Sequence, residues 1–149
     1  MNPTETRPVV ATIAAVIKDH RILLIRRRNR PDAGRWAFPG GKIRWGESLF
    51  GAMRRELYEE TGVRADPHEV FDAVDVYDYD DDGNLVQHFL LVAVLCDWSD
   101  GSPSGSDDAL DAQWFDGERL RTADLARSFD VAAVANQALH LSCLTQKPE

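Results

Sequence analysis

Residues 36–63 read WAFPGGKIRWGESLFGAMRRELYEETGV and contain the most specific structural signals of the sequence. Helix-forming residues dominate from residue 48 to about residue 61, and Gly62 stands where helices commonly end in a left-handed glycine. Ahead of the helix, residues 39–41 (Pro-Gly-Gly) predict a turn that follows a short strand at residues 36–38. The segment therefore predicts a strand, a glycine turn and one helix.

The predicted helix carries its acidic residues beside its apolar stripe. At ~100° per residue, Glu56, Glu59 and Glu60 continue this stripe, whereas a solvated acidic face would point away from it. The stripe itself consists of Leu49, Ala52, Met53 and Leu57. The three carboxylates are thus expected to share one half-buried sector.

Three carboxylates in one sector repel one another, and burial disfavours their charged forms, so a cation is expected among them. Mg²⁺ prefers carboxylate and carbonyl oxygens and commonly joins carboxylates to substrate phosphates. Arg55 is placed to neutralise part of the cluster, and the Gly40–Gly41 backbone is open enough for a carbonyl to approach a cation. The alternative is an internal salt-bridge network without a metal.

The segment 41–63 resembles the Nudix box, in which a glycine, five residues, a glutamate and seven residues precede Arg-Glu-aliphatic-x-Glu-Glu-x-Gly-aliphatic. The matching positions are Gly41, Glu47, Arg55, Glu56, Leu57, Glu59, Glu60, Gly62 and Val63. A motif of this length is far more specific than a glycine-rich loop alone. The resemblance implies a single Nudix hydrolase domain over residues 1–149, built as an α/β/α sandwich with a mixed β-sheet.

The same resemblance implies roles for the box residues. Glu56, Glu59 and Glu60 would bind catalytic Mg²⁺ or Mn²⁺ together with the Gly40 carbonyl. The residues Arg55 and Glu47 would orient those glutamates. Water would then attack phosphorus in a nucleoside diphosphate that is linked to another moiety.

Many members of the family recruit a further acid from outside the box, as a metal ligand or a base. Asp107, Asp108 and Asp111 are the candidates, with Asp108 preferred because it lies near the end of a predicted loop at residues 99–111. The simpler alternative is a set of solvated loop carboxylates. The acidic run at residues 80–82 is interpreted as a solvated hairpin tip, with metal binding as its alternative.

The rest of the chain predicts strands on both sides of the box and one further helix. Apolar, β-branched runs predict strands at residues 9–17, 22–25, 69–79 and 85–96, and another strand starting near Trp114. Helical spacing of apolar residues over 129–144 predicts a core-packing helix. Strands interleaved with two main helices suggest a mixed sheet between helical layers.

Composition narrows the class of partner. A net charge of −8 disfavours nucleic-acid binding, and no apolar run is long enough for a membrane span, so a cytoplasmic protein is expected. Cys96 and Cys143 lack metal-ligand spacing and are expected to be free thiols. The resemblance is compatible with a homodimer.

A small nucleotide is therefore the expected substrate. Arg26, Arg28 and Arg44 are candidates for its phosphates, drawn from an arginine-rich stretch that is otherwise a solvated basic edge. Phe38, Trp45 or Phe89 are candidates to stack on its base. His88 is either a structural histidine or a secondary site candidate.

The layout is similar to that of ADP-ribose pyrophosphatases, which favours ADP-ribose or a nucleotide sugar. The proline of their signature, some fifteen residues beyond the box, is replaced here by Tyr-Asp-Tyr at residues 77–79. Nucleoside triphosphates, including oxidised ones, are thus the main alternative substrates. A non-catalytic domain that senses a nucleotide is a remote one, because every box carboxylate is present.

Overall fold

We describe a computed structural model of the chain, which covers residues 7–106 and 108–145. Within this part, ten elements follow one another along the chain. They are β1 (Val9–Lys18), β2 (Arg21–Arg27), β3 (Trp36–Ala37), β4 (Gly40–Lys42), α1 (Leu49–Thr61), β5 (Arg64–Tyr79), β6 (Leu85–Asp100), β7 (Ala109–Phe115), α2 (Gly117–Thr122) and α3 (Val131–Thr145).

The strands form one mixed sheet. Its main path runs β3-β2-β1-β6-β5, with β4 added beside β1 and β7 beside β2. The long pairing of β1 with β6 is parallel, and the other pairings are antiparallel. The predicted mixed sheet is confirmed.

Side chains alternate across β1, so the sheet buries an apolar surface on each face. Ala14 and Val16 join a core cluster with Met53 and Leu57 of α1. On the opposite face, the other residues of β1 pack in a second cluster with α3. This second cluster includes Ile13, Ala15, Ile17, Val131, Val134, Ala135 and Ala138. The two helices therefore lie on opposite faces, as the α/β/α sandwich requires.

Helix α1 has the ends that its sequence predicts. The Ser48 hydroxyl accepts a hydrogen bond from the Gly51 amide at 3.0 Å and caps the first turn. Gly62 ends the helix with φ of 74°, in the left-handed conformation that favours glycine, and its amide donates to the Tyr58 carbonyl. The box helix is therefore held at both ends by local interactions.

Three sequence predictions need correction, and one element was missed. The glycines of the predicted turn also form β4, because Gly40 and Gly41 pair with Ile13 and Thr12 of β1. Strand β7 begins at Ala109, inside the predicted loop 99–111 and well before Trp114. The short helix α2 was not predicted. Strand β5 begins at Arg64 instead of residue 69, since bulges let this edge strand pass through a proline.

Two predictions of absence can be compared with the described residues. None of the helices within 7–106 and 108–145 is long and apolar enough to cross a bilayer. Both Cys96 and Cys143 are free thiols, the first buried and the second exposed.

At the tip of the β5–β6 hairpin, the Asp80 carboxylate accepts hydrogen bonds from the amides of Asp82 and Asn84. Asp80 thus has a structural role in the turn.

Candidate active site

Arg55 is the centre of the polar network at the start of α1. Its Nε and Nη2 donate to the two carboxylate oxygens of Glu47, each at 2.8 Å. Nη2 also donates to the Lys42 carbonyl at 3.2 Å, and Nη1 donates to Glu56 Oε1 at 2.7 Å. One arginine thus connects the helix, the preceding loop and β4.

Glu47 is also hydrogen-bonded within the loop that precedes α1. Its Oε1 accepts a hydrogen bond from the Arg44 amide at 3.1 Å, and the Glu47 amide donates to the Arg44 carbonyl at 2.9 Å. The hydrogen bonds from Arg55, with that from the Arg44 amide, lower the pKa of Glu47 to about 2. The same ion pair raises the pKa of Arg55 above its ordinary value. Both groups therefore keep their charges throughout the physiological pH range.

Glu56 lies directly against Gly41. A Cβ at Gly41 would stand 2.5 Å from the Glu56 carboxyl carbon, closer than any real contact. The side chain of Glu56 is 19% exposed, so its carboxylate is only partly shielded from water. The glycine of the box therefore makes room for this carboxylate.

Glu60 is the buried member of the acidic set, at 6% exposed. Its Oε1 accepts a hydrogen bond from the Gly40 amide at 3.1 Å. A Cβ at Gly40 would lie 2.1 Å from the Thr12 carbonyl oxygen, which explains glycine at this position without any unusual φ. Burial raises the pKa of Glu60 to about 8, and the negative charge of Glu56 adds to this effect.

The expectation of three half-buried carboxylates is met only in part. Glu59 has a side chain that is 53% exposed and lies 3.5 Å from Arg55 Nη1. Glu59 is therefore the most exposed of the three carboxylates. Glu56 and Glu59 thus both turn toward Arg55, while Glu60 points to β4.

The candidates outside the box separate from one another. Asp108 is exposed, and its negative charge contributes to the raised pKa of Glu60, so it lies on the Glu60 side of the site. Asp111 accepts hydrogen bonds from the Ala112 amide at 2.8 Å and from Gln113 Nε2 at 2.6 Å. Asp107 lies outside the residues that the structure describes. Asp108 remains the candidate with an electrostatic link to the glutamates.

The donor set of this cluster fits a hard divalent cation. Over residues 7–106 and 108–145, no three His, Cys, Asp or Glu side chains are already arranged to hold a metal. The atoms available are nevertheless carboxylate oxygens and the glycine backbone, which are the ligands that Mg²⁺ takes. Glu56 in the space left by Gly41 lies beside the buried Glu60. Arg55 pairs with Glu56 at 2.7 Å, whereas the positive charge of Arg27 acts on Glu60.

A cavity of about 240 Å³ adjoins the glutamates at β4. Its floor includes Gly40, Gly41 and Lys42, whose other side contacts the acidic residues of α1. Aromatic and aliphatic side chains supply much of its wall, namely Phe38, Val76, Phe89, Leu91 and Phe129. The rings of Phe38 and Phe129 stack with centroids 6.3 Å apart. An apolar slot thus ends at the acidic cluster.

The predicted substrate contacts divide into two groups. Phe38 lines the cavity, as does Phe89. The side chains of Arg26, Arg28 and Arg44 are exposed and are not part of the cavity wall. His88 faces away from the cavity and bonds Asp75 at 2.8 Å, because alternate residues of β6 lie on opposite faces of the sheet. The structure therefore does not bring these last four to the cavity.

Several residues of the cavity wall were missed by sequence reasoning. Arg27 lines the cavity, and its positive charge acts on both Glu60 and Asp32. A β-bulge between Arg26 and Arg27 interrupts the alternation that would have indicated which arginine points inward. For Gln87, the alternation of β6 was a usable signal, since it shares the face of Phe89.

The chain is similar to known proteins over most of its length. The family model described as NUDIX domain matches residues 6–136. An ADP-ribose pyrophosphatase of Methanocaldococcus jannaschii is 35% identical over 109 residues, which cover 73% of this chain and 62% of that protein. The matched part of the chain thus spans less than two thirds of that relative's length.

Two further relatives are similar over most of their length. A putative 8-oxo-dGTP diphosphatase 2 of Mycobacterium tuberculosis is 30% identical over 135 residues, covering 83% of this chain and 92% of that protein. The crystal structure of a MutT NUDIX hydrolase from Burkholderia pseudomallei superposes with a TM-score of 0.69. That match has 31% identity and covers 90% of this chain and 97% of the other. With its box, its fold and a family match over most of its residues, the chain belongs to the Nudix hydrolase family.

Proposed function

We propose that the chain is a metal-dependent hydrolase that cleaves the phosphoanhydride bond of a nucleoside diphosphate linked to another moiety. The observation that carries this proposal is the shared backbone at Gly40 and Gly41. On one side it contacts Glu56 and Glu60, and on the other it forms the floor of the apolar cavity. A nucleoside in the cavity would therefore present its phosphates to the acidic cluster.

Glu56, Glu59 and Glu60 are the residues that would hold Mg²⁺ or Mn²⁺, together with the Gly40 carbonyl. The metal would neutralise charge on phosphate oxygens and lower the pKa of a bound water. Arg55 holds Glu47 through two hydrogen bonds and Glu56 through one, and so positions the carboxylates at the loop. Asp108 is proposed as the further acid, because its charge acts on Glu60.

Cations at the cavity favour an anionic substrate. Arg27 and Lys42 line the cavity at the side of the glutamates and are proposed as phosphate contacts. Phe38 and Phe129 offer stacked rings to a planar base. ADP-ribose or a nucleotide sugar is favoured, with support from the relative named ADP-ribose pyrophosphatase.

The second candidate is a nucleoside triphosphate pyrophosphohydrolase of nucleotide-pool housekeeping. Its support is the relative named as a putative 8-oxo-dGTP diphosphatase, which matches over 92% of its own length. Both candidates use the same glutamates and the same cavity. They differ in the group attached to the diphosphate, which is a sugar in the first and a further phosphate in the second. A homodimer and a cytoplasmic location stay predictions from the sequence.

A substrate panel tests the proposal. Phosphatase-coupled phosphate release would be measured with Mg²⁺ on ADP-ribose, nucleotide sugars, dinucleoside polyphosphates and triphosphates, the last including 8-oxo-dGTP. Triphosphates would be followed through pyrophosphate release. Glu59→Gln and Glu60→Gln would be compared with Glu118→Gln, which changes an exposed glutamate in α2.

The expected result is metal-dependent turnover that is lost in the two α1 variants and kept in Glu118→Gln. Faster turnover of ADP-ribose or a nucleotide sugar than of any triphosphate supports the first candidate, and the reverse supports the second. If no compound turns over while nucleotides still bind, the chain is a sensor and the proposed hydrolysis is wrong.

A further inference from the structure

Lys42 and Gln87 line different ends of the cavity. Lys42 lies opposite Ala11 in the sheet, and Ala11 lies opposite Leu91 on β6. Gln87 precedes Leu91 by four residues on the same strand, which places it ~13 Å away along the sheet. Phosphates bound near Lys42 would therefore leave the base of a nucleotide near Gln87.

Between these ends the wall is apolar and aromatic. Phe38 is 3% exposed and stacks on Phe129, while Val76 and Phe89 pair across β5 and β6. A planar heterocycle fits such a slot through dispersion and stacking, but these contacts do not distinguish one purine from another. Selection between bases therefore requires polar groups at the far end.

Gln87 is the polar group that is free to make such a selection. Its half-buried side chain lines the cavity, and the side-chain carboxamide makes no hydrogen bond to any residue within 7–106 or 108–145. By contrast, the Asp32 carboxylate already accepts hydrogen bonds from the amides of Arg127 and Ser128. The Thr12 hydroxyl donates to the Val92 carbonyl. The Gln87 amide thus offers one donor group and one acceptor group to a ligand.

Asp78 lies beside Gln87, next to the residues that line the cavity. It lies directly opposite Gln87 in the β5–β6 register, so both side chains share one face of the sheet. Its side chain is 11% exposed, and Oδ1 accepts a hydrogen bond from Arg30 Nη2 at 3.1 Å. Arg30 also donates to the Tyr79 carbonyl at 3.2 Å, which holds the segment between β2 and β3 (residues 28–35, the cavity loop) to the β5–β6 hairpin. The second carboxylate oxygen is left as an acceptor.

From this arrangement we infer that Gln87 and Asp78 select adenine over guanine, an inference that rests on the proposed binding of a nucleotide in the cavity. The carboxamide of a glutamine pairs in a bidentate manner with the amino group and a ring nitrogen of adenine. At this edge guanine presents only acceptors, N7 and its 6-oxo group, so a carboxylate beside the glutamine accepts from the 6-amino group of adenine but repels the 6-oxo group of guanine. The pair therefore favours a 6-aminopurine nucleotide.

Product binding tests this selection without any hydrolysis. Calorimetry would measure AMP and GMP with Mg²⁺ on the wild type, Gln87→Leu and Asp78→Asn. The matched control is Gln137→Leu, the same change at an exposed glutamine on α3. Turnover of ADP-ribose and GDP-mannose would be measured on the same four proteins.

The wild type and the control are expected to bind AMP at least ~10-fold more tightly than GMP, the order of one or two hydrogen bonds. Gln87→Leu is expected to remove most of this preference by weakening AMP. Asp78→Asn should reduce it by strengthening GMP. Thermal melts of each variant verify that the fold is kept.

Equal binding of AMP and GMP to the wild type would overturn the inference, as would an unchanged preference in both Gln87→Leu and Asp78→Asn. Failure of the proposed hydrolysis has a different signature. In that case AMP preference would follow the variants as expected while neither ADP-ribose nor GDP-mannose turns over. Hydrolysis of both compounds at equal rates, with no AMP preference, would retain the enzyme and reject the base selection.

Discussion

The acidic cluster and the cavity meet at β4, yet they are assembled in different ways. The cluster takes its residues from one continuous stretch, in which Arg55 reaches Glu47 and Glu56 within a helix and its preceding loop. The cavity takes its wall from β1, β2, β4, β5, β6 and the turn before α3. Local spacing in the sequence thus determines the acidic cluster, whereas tertiary pairing of distant segments determines the cavity.

Gly40 and Gly41 belong to both regions, and their alanine variants are expected to have the largest effects. One variant should destabilise the fold, and the other should mainly lower turnover. Gly40→Ala places a Cβ 2.1 Å from the Thr12 carbonyl oxygen, a backbone atom that cannot move without shifting β1. We expect a loss of about 3 kcal/mol or more in the free energy of unfolding. Gly41→Ala meets only the end of the Glu56 side chain, so its fold should persist while turnover falls.

Urea unfolding and turnover measure both effects. The control is Gly117→Ala, where a Cβ meets nothing within 4 Å and stability should change by no more than about 0.5 kcal/mol. A Gly40→Ala protein as stable as Gly117→Ala would show that β4 does not pack as described.

Sequence alone predicted the local region well, because its signals are short-range. Gly62 and the helix formers of α1 predicted the helix that the structure shows. The strand at Gly40–Lys42 was missed, since two glycines disfavour a strand until pairing with β1 imposes it. The start of β7 at Ala109 was also missed, because this strand forms by pairing with the distant strand β2.

The candidate site was predictable to a similar extent. The resemblance to the Nudix box implied that Arg55 and Glu47 orient the glutamates, and in the structure Arg55 donates hydrogen bonds to Glu47 and Glu56. The cavity wall was not predictable from spacing, because Ser128 and Phe129 reach Phe38 only through the packing of distant segments. The bulge at Arg27 likewise depends on pairing with β7.

Arg55→Lys is expected to disturb the acidic cluster and to leave the cavity wall unchanged. Lysine keeps the charge but cannot make the two parallel hydrogen bonds to Glu47. Displacement of the carboxylates by about 1 Å is expected to lower kcat by roughly 100-fold. Arg54→Lys, at the exposed neighbouring position, is the control and should turn over like the wild type. Equal rates for the two variants would mean that Arg55 does not position the glutamates.

Phe129→Ala disturbs the cavity and leaves the acidic cluster intact. The variant loses the ring that stacks on Phe38, so the binding of the substrate and the binding of the transition state should weaken to the same extent. Steady-state kinetics should show KM rising roughly tenfold with kcat nearly unchanged. Leu144→Ala, at an exposed position of α3, should show neither change. A fall in kcat at constant KM would contradict the separation of the two regions.

The smallest effect is expected at Asp32, which ties the cavity loop to the turn before α3. Although burial opposes it, hydrogen bonds from Ser128 and Arg127 lower the pKa of Asp32 below its ordinary value, with help from the charge of Arg27. A lowered pKa stabilises the fold above the unfolded value of 3.8, and this stabilisation is lost as pH falls through the folded pKa.

Asp32→Asn keeps a residue that tolerates the positive φ of 66° and removes the charge. Urea unfolding should show a loss of about 1 kcal/mol at pH 7 relative to the wild type. This difference should shrink as the pH is lowered below 3.8. A difference that grows on acidification would show that Asp32 is not ionised in the fold.

Glu56 and Glu60 are proposed to hold a divalent cation at the edge of the cavity. Electron paramagnetic resonance of free Mn²⁺, titrated with the protein, tests it most directly. Uptake by the wild type and by Glu118→Gln is expected, with affinity at least ~10-fold weaker in Glu56→Gln and Glu60→Gln. If the wild type takes up no Mn²⁺, or if all four proteins bind it equally, these glutamates do not form the metal site.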